Sequence, residues 1–279
     1  MAKSDYERNR KPSNRKTGGY KKNFSKSKPF ERKNQPPKKT GDPDLIRLNR
    51  YIANAGICSR READTFIAAG NVTVNGKVIT EMGHKVKRSD DVRFDGRKLN
   101  PEKKEYVLLN KPKNFITTTR DEKGRRTVME LVSSASNSRL YPVGRLDRNT
   151  TGLLLFTNDG DLAKKLTHPK HGVRKIYHVF LDKNVSIVDI RKIRDGLELE
   201  DGKIEVDEVD YVSGASKKEV GIEIHSGKNR IVRRIFEHLG YEVSKLDRVV
   251  FAGLTKKDLP RGHWRYLTQQ EVINLGMIK

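Results

Sequence analysis

The first 43 residues contain no Leu, Ile or Val, so this chain of 279 residues must build its core from residues 44–279. That opening segment carries 14 Lys+Arg against 4 Asp+Glu, a net +10 out of +23 for the whole chain. It cannot bury enough apolar surface to offset its ordering entropy. The composition therefore predicts a disordered basic tail over 1–43. Tyr6, Tyr20, Phe24 and Phe30 are interleaved with the cations. Such rings stack on unpaired bases while Lys and Arg follow phosphates; the same composition also serves simple solubility, and the sequence does not choose. A pI near 10.0 points to a polyanionic partner, of which nucleic acid is the usual one. No apolar run is long enough to span a bilayer, and the opening MAKSDYERNR is too polar for a signal-peptide core. A cytoplasmic protein is expected, with a monomer as the default.

One cysteine, Cys58, forms no internal disulfide and no Cys-rich zinc site, and reads as a small packed residue. The histidines are scattered, without an HExxH or paired CxxC, so no metal site is expected. There is no P-loop or dinucleotide fingerprint, and no cofactor is expected.

Beyond the tail, the organisation predicts an α+β chain with a small RNA-binding unit and linker over 44–103 and a larger unit over 104–279. Leu45, Leu48, Ile52 and Ala55 fall at helical spacing, with Gly56 as the stop. Ser59 and Glu62 form a capping box for a second helix that carries Phe66 and Ile67. Asn75-Gly76 and Asp95-Gly96 read as turns between short strands. This helix–helix–strand unit gathers Arg47, Arg50, Arg60, Arg61 and Lys77 as candidate RNA contacts. Arg60 and Arg61 stand at a helix start, where a phosphate would satisfy both the free N–H groups and the guanidinium groups; the bland alternative is a solvated basic face. The stretch RLNRYIANAGICSRREADTFIAAGNVTVNGKVI resembles the small S4 RNA-binding domain.

Asn100 to Lys104 reads as a polar linker, and Tyr106–Leu109 as a buried strand. Further strands are predicted over 176–181 and 220–224, with helices carrying Ile187, Ile190 and Ile193, then Ile231 to Leu239. A second capping box, Thr268 with Glu271, opens a last helix. Asn158-Asp159-Gly160-Asp161 lacks the ligand spacing of a calcium loop and reads as a turn and helix cap. His168 before Pro169 reads as a structural loop residue, and Trp264 as core packing.

The segment most able to carry chemistry runs from Val143 to Thr157. A polar loop with one carboxylate, Asp147, between Arg145 and Arg148 precedes the apolar run Leu153–Phe156. A carboxylate beside cations stays ionised and can serve as base or nucleophile, or simply as half of a loop salt bridge. Locally the sequence leaves these open.

GRLDRNTTGLLLFTNDGDLAKKLTHP resembles the signature of the RNA pseudouridine synthases that modify ribosomal RNA. Lys175-Ile176-Tyr177 is similar to the family's Lys-x-Tyr, and Leu109-Asn110-Lys111-Pro112 to its Asn-Lys-Pro strand end. SGKNRIVRR, residues 226–234, resembles its third motif, although Lys228 and Ile231 depart from the common pattern. DEKGRRTVMELV, LTHPKHGVRKIY and LPRGHWRYLT look most like the members acting on large-subunit ribosomal RNA. The resemblance implies a mixed, mainly antiparallel sheet with Asp147 in its cleft. It implies that Tyr177 packs on the base, that Arg233 pairs with Asp147, and that no cofactor takes part. Arg145, Arg148, Lys228 and Arg230 would contact RNA, and Arg234 is expected to be a surface charge or phosphate contact. Two rival readings remain at this point: a non-catalytic ribosome-assembly factor, and a synthase acting on transfer RNA or the small subunit.

Overall fold

The computed structural model describes residues 44–100 and 102–278. The basic tail with Tyr6, Tyr20, Phe24 and Phe30 lies outside the described residues. The first part runs β1 (Leu45–Arg47), α1 (Leu48–Asn54), α2 (Arg60–Ala68), β2 (Val72–Val74), β3 (Lys77–Val78), β4 (Lys85–Lys87), β5 (Val92–Phe94) and β6 (Arg97–Lys98). The helical spacing that begins at Leu45 is overridden for its first turn. Leu45–Arg47 instead pairs antiparallel with Lys85–Lys87, which gives those backbone groups partners some 40 residues away. The capping box forms as its residues dictate: Ser59 Oγ accepts from Glu62 N, and the Glu62 carboxylate accepts from Ser59 N at 2.6 Å. Asn75 and Gly76 both take left-handed backbone, the requirement of a two-residue hairpin turn between β2 and β3. Leu48, Tyr51, Ile52, Ile67, Val72 and Val92 pack into one apolar cluster, with Cys58 buried at its side.

The larger part runs β7 (Tyr106–Lys111), α3 (Val128–Val132), β8 (Tyr141–Pro142), β9 (Thr151–Thr157), α4 (Gly160–Thr167), β10 (Lys175–Leu181) and α5 (Ile187–Asp195). It continues β11 (Leu197–Leu199), β12 (Gly202–Ile204), β13 (Glu208–Tyr211), β14 (Glu219–Ile224), α6 (Ile231–His238), β15 (Val243–Phe251), β16 (Leu254–Thr255), β17 (Trp264–Tyr266) and α7 (Gln269–Met277). The main sheet has the order β13-β14-β10-β15-β9-β7-β17, antiparallel throughout except where β15 meets β9. β9 is wholly buried, as its Leu-Leu-Leu-Phe run demands. Its Leu154 and Phe156 join the core under α5 and α6, while Leu153 and Leu155 join a second cluster with Leu162, Leu166 and Leu275. Strand β14 alternates half-buried and buried residues with period two. Asp159 caps α4, accepting from Asp161 N and Leu162 N. Trp264 is half-buried against the main core.

The parallel pairing of β15 and β9 covers only Asp247↔Thr151 and Arg248↔Gly152. A Cβ at Gly152 would collide with the Arg248 backbone, so the close approach needs glycine there, and its φ of +105° suits no other residue. Arg248 and Phe251 of β15 line a cleft together with residues 143–147 of the loop before β9. The two parts of the chain touch through an Arg50–Asp161 ion pair, an Arg139–Glu62 pair at 3.7 Å and Asn158 Nδ2 donating to Lys103 O at 2.9 Å.

Candidate active site

The loop between β8 and β9 has no regular structure, yet its backbone is held from several sides. Lys111, at the end of β7, is completely buried. Its Nζ donates to the carbonyls of Thr150 (2.8 Å), Asp147 (3.1 Å), Pro112 (3.1 Å) and Arg148 (3.3 Å). Burial pushes this ammonium down to about 8, partly opposed by the Asp147 carboxylate. Thr117 Oγ1 donates to Leu146 O at 2.7 Å and accepts from Leu146 N at 3.2 Å, and Asn114 N donates to Arg148 O at 2.9 Å. Partners that satisfy the loop backbone fix it as firmly as a strand would.

The Asp147 carboxylate itself is left open. Its side chain is 39% exposed, and the nearest cation among the described residues is Arg230, with Nη1 at 3.9 Å. It lines two hollows. One, of about 200 Å³, is walled by Tyr177, Lys175, Arg230, Ile231, Arg248 and Phe251, among others. The other, of about 520 Å³, is rimmed by Arg120, Lys123, Arg125, Arg145 and Arg148. Arg145 and Arg148 are exposed on either side of Asp147.

Tyr177 on β10 and Arg248 on β15 are direct cross-strand partners. Arg248 is fully buried; its Nε donates to Leu153 O at 2.8 Å and its guanidinium lies 4.4 Å from the Phe251 ring centre. Burial lowers its pKa, and the neighbouring Tyr177 phenol works against that. Among the described residues its Nη2 has no hydrogen-bond partner. Lys175 donates from Nζ to Val173 O and His225 O, both at 2.8 Å, and burial pushes it down to about 8. His168 also borders the cleft, where its Nδ1 accepts from Lys170 N at 3.1 Å and caps a short 3-10 turn.

The third motif folds differently from the expected pairing. Arg233 is buried and donates from Nη1 to Val243 O at 2.7 Å. It feels the Asp147 charge through space, and the guanidinium within ion-pair distance is that of Arg230. The reason is local: Arg230 starts α6 in left-handed backbone at φ 48°, which turns its side chain back toward the loop and toward Glu237 at 3.1 Å. Arg234 pairs with Asp201 at 2.5 Å, and Lys228 donates to Asp201 O at 2.9 Å. Arg47, Arg60, Arg61 and Lys77 are exposed on the first part of the chain and Arg50 is taken up by Asp161; none of them borders the Asp147 hollows. Lys111, Thr117 and Arg248 received no role from the sequence. The strand VSKLDRVVF carries Lys245, Asp247 and Arg248 together, so no local pattern singles out Arg248.

Comparison with known proteins adds to this geometry. Residues 105–238 match the family model described as RNA pseudouridylate synthase, and residues 46–92 match the S4 domain. Over 235 residues the chain is 44% identical to a Bacillus subtilis ribosomal large subunit pseudouridine synthase B, covering 83% of this chain and 96% of that one. It is 38% identical to an Escherichia coli dual-specificity RNA pseudouridine synthase RluF, covering 82% of this chain and 78% of the relative. A crystal structure of a pseudouridylate synthase superimposes with a TM-score of 0.58 at 27% identity, covering 82% of this chain and 99% of that chain.

Proposed function

The chain belongs to the RNA pseudouridylate synthase family, and on that premise we propose that it isomerises uridine to pseudouridine in large-subunit ribosomal RNA, with Asp147 as the reacting carboxylate. One observation carries the assignment of Asp147. It is an open carboxylate on a backbone clamped by buried Lys111, facing both hollows at once.

The reaction breaks the N1–C1′ bond, rotates the uracil and rejoins it through C5. N1 gains a proton and C5 loses one, so nothing enters or leaves overall. Asp147 either attacks C1′ or removes the C2′ proton to give a glycal. Tyr177 packs against the base and assists loss of the C5 proton. Arg230 at 3.9 Å and Arg233 through space set positive charge beside the Asp147 carboxylate, a division of the role first given to Arg233 alone. A uridine inside a stacked helix is out of reach, so it must be flipped out. Arg145 and Arg148 then hold the flanking phosphates, with Lys228 and Arg230 along the other wall.

Residues 44–103 form the docking unit in this reading and 104–279 the catalytic one, with Arg47, Arg60, Arg61 and Lys77 contacting RNA and Arg50 serving the junction. The protein works as a monomer in the cytoplasm on a large-subunit precursor. The basic tail adds phosphate contacts. Deleting 1–43 should weaken RNA binding and flatten its salt dependence, as fewer counterions are released; an unchanged slope removes the tail from the interface.

The test is pseudouridine mapping of ribosomal RNA from cells lacking this protein, complemented with wild type or Asp147→Asn. Loss of one large-subunit position, restored only by wild type, is expected. Restoration by Asp147→Asn would remove that residue from the chemistry. Unchanged ribosomal RNA would redirect the substrate to transfer RNA, or leave an assembly factor.

A further inference from the structure

Strands β10 and β15 present two faces, because successive side chains alternate. The register pairs Tyr177 with Arg248 and Val179 with Leu246 on the cleft side. It pairs His178 with Asp247 and Phe180 with Lys245 on the other. Behind the Asp147 cleft these residues line a separate open hollow of about 370 Å³, together with Lys113, Thr151 and Arg261.

The floor of this hollow is aromatic. The His178 and Phe180 rings stack with centres 4.2 Å apart and planes 30° apart. Lys245 stands over the Phe180 ring at 5.3 Å. Lys113, Lys245 and Arg261 on the rim are exposed. Asp247 at the back is engaged by Lys256 and, bidentately at 3.0 Å, by Arg261, and His178 meets Glu219 at 3.0 Å. Four cations therefore face two already occupied carboxylates. The hollow is positive around a stacked ring pair, and nothing in the proposed isomerisation uses it.

We propose that this rear face is a second RNA-binding site that takes a single-stranded segment, with one base continuing the His178–Phe180 ring stack and flanking phosphates at Lys113, Lys245 and Arg261. A nucleobase has the π-face that continues a ring stack, whereas an acidic peptide would satisfy the cations and leave the rings unused. The basic tail is repelled by the same charge. The site sits one strand's thickness behind Tyr177, so an RNA held there wraps the sheet edge and presents a distant part of its fold to the enzyme. This inference rests on the reading that the chain acts on RNA, and goes beyond it by assigning a face remote from the chemistry.

The experiment uses the full chain and a large-subunit ribosomal RNA transcript. Binding is measured over a range of salt, and turnover at saturating RNA, for wild type, Lys113→Gln/Lys245→Gln and Phe180→Leu. The double variant should bind about tenfold more weakly and lower the slope of log K against log salt by about 2, since each lost phosphate contact removes about one unit. Phe180→Leu keeps the volume and loses the flat ring, so binding should weaken about fivefold with the slope unchanged. Turnover at saturation should equal wild type for both. Wild-type affinity and slope in both variants would overturn the proposal and hand the face to an acidic protein partner. Wild-type protein that binds the transcript without forming pseudouridine would defeat the catalytic reading instead, while the binding comparison would still decide the rear site.

Discussion

Asp247 stands on β15 and Asp147 in the loop that leads into β9, and the two segments are neighbours, since Asp247 is in register with Thr151, a few residues beyond Asp147. Their surroundings are opposite. Asp247 is 12% exposed and accepts from Arg261, Lys256 and Thr151 Oγ1. Burial works to raise its pKa, but the hydrogen bonds from Arg261 and Lys256 outweigh it and hold the carboxyl at about 2. Asp147 is 39% exposed, with one cation at 3.9 Å. In the first region the side chain is saturated and the strand backbone carries it. In the second the backbone is saturated by Lys111 and Thr117 while the side chain is left open. Acceptor capacity that is already used up ties strands together; acceptor capacity held open on a rigid support is available to a substrate.

That contrast can be broken by substitution. The largest loss of stability is expected from Lys111→Met, which takes one donor from four loop carbonyls, of which only those of Asp147 and Arg148 keep a backbone N–H, and should cost about 3–5 kcal/mol in denaturant unfolding. A loss under about 1 kcal/mol would mean that the loop is held by other means. Asp247→Asn comes next, at about 2–3 kcal/mol, because Arg261 and Lys256 lose their shared partner at a half-buried site. Its turnover, measured while folded, should stay within about threefold of wild type; a much larger drop would give Asp247 a part in the chemistry. Arg230→Gln removes a long, half-exposed pair and should cost less than about 1 kcal/mol, with turnover reduced less than about tenfold.

A further effect is a pH dependence. Lys111 and Lys175 titrate near 8 in the folded chain against a usual value of 10.5, so between those values the unfolded chain binds more protons. The burial cost of both ammonium groups is present in full below pH 8 and is relieved as pH rises through that window. Wild type should therefore gain stability relative to Lys175→Met from pH 7.5 to pH 10. A constant difference between the two would place the Lys175 ammonium at its ordinary value.

Much of this was legible because it is local. The capping boxes at Ser59 and Thr268, the Asn75-Gly76 turn, the alternation over 219–224 and the amphipathic spacing from Ile231 depend on residues within a few positions of each other. What escaped is set by distant contacts. Leu45–Arg47 is a strand because Lys85–Lys87 lies beside it. The Thr127–Glu130 capping box of α3 was local yet went unread, in a helix of five residues with little periodicity. In the site, GRLD located the carboxylate, but no spacing tells that Lys111 turns inward to hold the loop. Likewise, which arginine approaches Asp147 depends on the left-handed start of α6 at Arg230.

The most direct test compares Asp147→Asn with Asp247→Asn on one ribosomal RNA transcript, at a temperature where circular dichroism finds both folded, by the rate of pseudouridine formation. The account predicts that Asp147→Asn binds RNA and unfolds like wild type but turns over at least about a thousandfold more slowly, while Asp247→Asn remains active. Near-normal turnover by Asp147→Asn would contradict it.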